Sequence, residues 1–118
     1  MNLLEDKIRQ FLNEVDISPY YFEARCELVS DPTENLTDIL TEMRSIQGVT
    51  IVTVLEPAQR IGPNKEKIIL RVKFLVGKGH SFNGFRKMLQ EKVASIDGAI
   101  RLAIRQIYDI NQSLVYAG

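Results

Sequence analysis

A chain of 118 residues, 45% of them apolar and one of them a cysteine (Cys26), suits a single α+β-sized domain that needs no disulfide and offers no multi-cysteine zinc site. Fifteen Lys/Arg balance fifteen Asp/Glu, so the chain has no overall charge to draw it to nucleic acid or to an acidic surface. No apolar run approaches the roughly 20 residues of a membrane span, and residues 1–6 lack a basic-then-apolar leader, which predicts a cytoplasmic, reducing site of synthesis.

Residues 1–18 place Leu3, Leu4, Ile8, Phe11, Leu12 and Val15 at helical spacing, the pattern of an N-terminal amphipathic helix. Ser18-Pro19 ends it, because a residue before proline is pushed out of the helical region. The packed domain is expected over 19–110. Residues 20–29 alternate, with Phe22, Ala24, Cys26 and Leu28 on one face and Tyr21, Glu23, Arg25 and Glu27 on the other, as a half-buried strand does. Asp31-Pro32-Thr33-Glu34 reads as a helix start. The apolar stripe Leu36, Ile39, Leu40, Met43 and Ile46 follows, and Gly48 suits the helix end.

Residues 49–55 form an uncharged, β-branched strand that Pro57 should stop. Residues 60–64, with Gly62-Pro63, predict a turn. Residues 67–76 predict a third strand, Gly77-Lys78-Gly79-His80 a loop, and Ser81 the cap of a second helix carrying Phe82, Phe85, Met88, Leu89, Val93 and Ile96. Gly98 ends that helix. Residues 99–107 predict a fourth strand, with Ile100, Leu102 and Ile104 inward, and 111–118 a tail of no strong preference.

The order βαββαβ is most simply buried as a ferredoxin-like α+β sandwich: four antiparallel strands in the order 4-1-3-2, two helices on one face, and the N-terminal helix as an addition. That order sets Glu23 and Glu27 beside Arg71, Lys73, Arg101 and Arg105. An internal echo supports two related halves. Ser45-Ile46-Gln47-Gly48-Val49-Thr50-Ile51 recurs fifty positions later as Ser95-Ile96-Asp97-Gly98-Ala99-Ile100-Arg101. The halves differ in charge: 1–58 carry four Lys/Arg against eleven Asp/Glu, whereas 59–92 carry nine against two. Such a chain can attract copies of itself head to tail, or neutralise its own halves on folding.

No catalytic constellation is present. His80 is the sole histidine, so no metal site or nucleophile–base relay can be built around a second one. Cys26 falls on the core face, where a cysteine acts as a small apolar residue. No catalytic residues, metal or cofactor are therefore expected. The loop Gly77, Lys78, Gly79, His80 and Ser81 is a candidate anion site, since it precedes a helix N-terminus, although it lacks the phosphate-loop spacing. A basic run from Lys65 to Lys92 leaves sequence-independent nucleic-acid binding as a less favoured reading.

In the expected order the second strand is a sheet edge. Natural edges are usually guarded by lysine, proline or a bulge, and residues 49–55 carry none of these in sequence. Val49, Ile51, Val52, Val54 and Leu55 are thus candidate interface residues for strand addition by another chain, unless the N-terminal helix or the tail covers them. Asp38 and Glu42 on the first helix, with Arg86 and Lys87 on the second, are candidate charge partners between copies.

Asp31-Pro32, the stripe from Leu36 to Ile46, and Gly48-Val49-Thr50-Ile51 resemble the first half of ACT-like regulatory domains, with Thr33 where that family has glycine. The resemblance implies amino-acid binding at a dimer interface. Met43-Arg44-Ser45-Ile46-Gln47-Gly48-Val49-Thr50, followed by Leu70-Arg71-Val72-Lys73-Phe74, is similar to small ferredoxin-like proteins of tailed bacteriophages, which implies a virion or assembly role. The leading expectation is a non-enzymatic structural or assembly protein, a homo-oligomer or partner-docking module, with a small-ligand regulatory domain as the alternative.

Overall fold

The computed structural model describes residues 21–31, 36–77 and 80–118. The expected helix over 1–18 and the helix start at Pro32–Glu34 lie outside those residues. The described elements are β1 (Tyr21–Ser30), α1 (Leu36–Arg44), β2 (Val49–Gly62), β3 (Lys65–Leu75), α2 (Phe82–Ala94), β4 (Ala99–Asp109) and β5 (Leu114–Ala117). They make an α+β fold with one antiparallel sheet in the order β2-β3-β1-β4-β5.

The four-stranded 4-1-3-2 ferredoxin-like sandwich is therefore corrected to a five-stranded sheet. The tail supplies the difference. The Asp109 carboxylate accepts the N–H groups of Asn111 and Ser113, both at 2.9 Å, and Gln112 takes a positive φ of 64°. This tight reversal returns Leu114–Ala117 along β4, where Gln106 faces Ala117 and Ile107 faces Tyr116. Tyr116 also lies under the Arg86 guanidinium, 4.6 Å from its ring centre, a contact worth about 0.5–1 kcal/mol at exposed sites.

The core lies between the helices and one face of the sheet. Ala24, Cys26 and Leu28 of β1, Leu70, Val72 and Phe74 of β3, and Leu102, Ile104 and Ile107 of β4 meet Ile39 and Met43 of α1 and Leu89 and Val93 of α2, all buried. Phe74 stacks on Phe22 at 5.6 Å and on Phe85 of α2 at 4.4 Å. Ser81 caps α2 by accepting the Gly84 N–H at 3.1 Å. No helix among the described residues is long and apolar enough to cross a membrane.

The fifty-residue echo is repeated in geometry. Ser45 Oγ donates to the Glu42 carbonyl at 2.6 Å, and Ser95 Oγ to the Lys92 carbonyl at 2.7 Å. Gly48 and Gly98 follow with φ of 97° and 89°, a region that glycine enters without penalty. The Gly48 carbonyl accepts the Leu75 N–H, and the Gly98 carbonyl the Asp31 N–H, both at 2.7 Å. Each helix is thus tied by the same turn to the end of the strand beside the one it feeds.

Three other expectations change. β2 does not stop at Pro57 but runs to Gly62, because an edge strand tolerates a residue with no N–H to give. Its register on β3 shifts between Glu56 and Gln59 where the proline sits. Ile100 is 42% exposed rather than inward, since the β1–β4 register shifts between Val29 and Ser30. Glu23 is buried, although it points away from the helices.

Candidate interaction edge

The two outer strands of the repeated halves, β2 and β4, face different fates. On β4 the outer side is covered over part of its length. Gln90 Nε2 of α2 donates to the Leu102 carbonyl at 3.1 Å, the Gly118 N–H donates to the Arg105 carbonyl at 2.7 Å, and β5 pairs with Gln106–Tyr108. Arg101 and Arg105 add charge along the same strand, another common guard of sheet edges.

On β2 the fifty-residue equivalent of Leu102 is Val52. Its carbonyl accepts Arg44 Nη2 of α1 at 3.0 Å, so the same place on the strand is capped from the preceding helix in both halves. Beyond this, no strand among the described residues lies on the outer side of β2. Arg44 is not among the site residues expected from the sequence. The fifty-residue period aligns the acceptors Val52 and Leu102 but not the donors, since Gln90 aligns with Leu40 rather than with Arg44.

The edge is less uniform than its sequence. Register shifts lie between Val49 and Ile51 and between Val54 and Glu56, leaving Ile51, Val52, Thr53 and Val54 in unbroken pairing with Lys73, Val72, Arg71 and Leu70. Ile51 is 43% exposed and Val54 40%, while Val49 and Leu55 are half-buried. The Val52 side chain is in the core, so only its backbone is available to another chain.

The charged candidates divide. Asp38, Glu42 and Lys87 are exposed. Arg86 is half-buried and occupied, stacked on Tyr116 and donating to Asn83 and Gln90 oxygens at 3.4 Å. The structure thus does not leave Arg86 and Lys87 as an equivalent pair.

The loop candidate borders a groove of about 720 Å³ lined in part by Gly48, Gly77, His80, Ser81, Phe85 and Lys92. Lys78 and Gly79 lie outside the described residues. His80, Ser81 and Lys92 are exposed, and the Ser81 hydroxyl oxygen is already engaged by the Gly84 N–H. No group of three or more His, Cys, Asp or Glu among the described residues is placed to hold a metal ion.

The sheet face opposite the helices is a charge network. Glu23 lies 3.4 Å from Arg25, 3.9 Å from Arg71 and 4.0 Å from Lys73, and Glu27 lies 3.0 Å from Arg105. The Arg105 hydrogen bond lowers the Glu27 pKa below its ordinary value of 4.5. Glu27 is thus held ionised by its cation, the opposite of a poised general acid. Cys26, 1% exposed, has its thiol pushed up to about 12 by burial, which removes the thiolate that nucleophilic chemistry needs.

No family model matches this chain, and no curated protein matches it. The reading of its role rests on the geometry above.

Proposed function

We propose that this chain is a non-enzymatic structural or assembly protein that docks another polypeptide along the outer side of β2. One observation carries the reading: of two edges built to the same plan, β4 has β5 alongside Gln106–Tyr108 and the charges of Arg101 and Arg105, whereas β2 has no strand on its outer side among the described residues and no charge over residues 49–55. An open edge supplies main-chain hydrogen bonds to an added strand, and its alternate side chains supply selectivity. Ile51 and Val54 present apolar surface on opposite sides of that edge. A virion component is the most specific form of this role, and its support is the sequence resemblance alone.

The reading predicts association that depends on protein concentration, measured by light scattering or sedimentation velocity at low salt. Val54→Lys places a guard charge on the edge at an already exposed position, and is expected to weaken association at least tenfold with the unfolding midpoint nearly unchanged. A chain that stays monomeric at high concentration, and captures no partner strand, overturns the proposal.

A further inference from the structure

The occupant of the β2 edge follows from which of its backbone groups face outward. A guanidinium from α1 can reach the Val52 carbonyl, as it does at 3.0 Å, when that oxygen faces away from β3. In a strand the N–H and C=O of one residue point to the same side, and the side alternates along the chain. Across the unbroken stretch, Val52 and Val54 therefore direct their backbone groups outward, while Ile51 and Thr53 direct theirs to Lys73 and Arg71 of β3.

We propose, on the footing of the docking role above, that the strand added to this edge is β2 of a second copy, antiparallel about a two-fold axis through Thr53. A symmetric antiparallel pairing opposes residues whose numbers have a constant sum, and outward residues must oppose outward residues to exchange their bonds. An axis through Thr53 opposes Val52 to Val54 of the second copy, and Val54 to its Val52, so four main-chain hydrogen bonds can close within the unbroken stretch, two of them onto the Val52 carbonyls that Arg44 holds in the single chain. An axis through Ile51 would oppose Val54 to Gly48, which lies in the turn after α1 at φ 97°. An axis through Leu55 would oppose Val54 to Glu56 across a register shift. Thr53 alone keeps both outward residues in regular pairing.

Side chains and charges agree with this register. Uncharged residues meet along the central stretch, and Ile51 is brought toward Leu55 of the other copy. The far end of β2, where Arg60, Lys65 and Lys67 outnumber Glu66, is carried toward α1 of the second copy, where Asp38 and Glu42 outnumber Arg44 and the C-terminal end of the helix dipole is negative. A tip of net positive charge on one copy thus meets a helix of net negative charge on the other, an arrangement that favours encounter of unlike surfaces.

The test is a single-cysteine crosslink in the full chain. Cys26 is buried and cannot contribute one from the native fold. The axis places the two Thr53 positions directly opposite in a pair without main-chain bonds, about 4.5 Å apart at Cα, within disulfide reach. The Ile51 positions of the two copies lie four residues apart along the strands, roughly 13 Å. Thr53→Cys, oxidised under conditions where sedimentation shows dimer, is expected to form covalent dimer at least tenfold faster than Ile51→Cys. Equal or reversed rates with dimer present overturn the register and leave the docking role standing. A sedimentation profile that is monomeric at every concentration overturns the second copy as occupant, and capture of a different strand then keeps only the docking role.

Discussion

Arg44 is the residue on which the availability of β2 turns. Its hydrogen bond to the Val52 carbonyl occupies an acceptor that an incoming strand would use. Removing such a bond from an exposed site is worth about 1 kcal/mol, or about fivefold in an equilibrium constant. Arg44→Ala is accordingly expected to tighten association about fivefold in sedimentation equilibrium while costing the monomer a similar amount in urea unfolding. Unchanged or weaker association would mean that Arg44 does not compete for the edge. Neither this contact nor the burial of Glu23 was legible in the sequence. An arginine at a helix end and a glutamate on an outward strand position are read by their charge, and their partners depend on which strands the fold makes neighbours. The alternation of Phe22, Ala24, Cys26 and Leu28 was legible, because a strand with one buried face has to write that face at every second residue.

At the scale of elements, the turn between α1 and β2 carries the strongest constraint. A Cβ at Gly48 would lie 2.6 Å from Phe85 Cε2 and 2.9 Å from the Leu75 carbonyl oxygen, at a backbone φ of 97°. Phe85 cannot retreat freely, since its ring stacks on Phe74 at 4.4 Å. Gly48→Ala therefore combines backbone strain with overpacking and is expected to cost about 2–4 kcal/mol, read as a lowered denaturant midpoint at unchanged slope. A loss below 0.5 kcal/mol would show that the turn yields. The turn was visible in sequence through its glycine and its echo at Gly98. The full length of β2 was not, because proline stops a central strand but only perturbs an edge. Nor was β5, a strand of four residues whose place is set by the Asp109 turn and the Tyr116 contact with Arg86 rather than by its own pattern.

For the whole molecule, the two halves share a plan and differ in what lies outside it. Matching turns, matching glycines and the paired contacts of Arg44 and Gln90 relate α1–β2 to α2–β4. The core between them is shared, with buried residues from both helices and from four strands in one cluster. The chain is thus held together by contacts between halves, and neither outer strand can be altered in length without changing what the sheet presents at that side.

On the proposed docking role, the last eight residues act as a terminator. A sheet with two equivalent open sides can grow without limit, each copy adding one more to an endless ribbon, whereas a sheet with one open side stops when two copies meet. β5 covers Gln106–Tyr108 of β4, so on the proposed docking role the molecule offers one pairing edge, a valency of one. Deleting 111–118 raises that valency to two. The shortened chain is expected to convert a bounded species into polydisperse polymer, seen as a broad, fast-sedimenting distribution, and Val54→Lys in the same chain should return it to dimers joined through β4. A truncated chain that remains a discrete dimer would mean that Arg101, Arg105 and the Gln90 contact suffice to close that side alone.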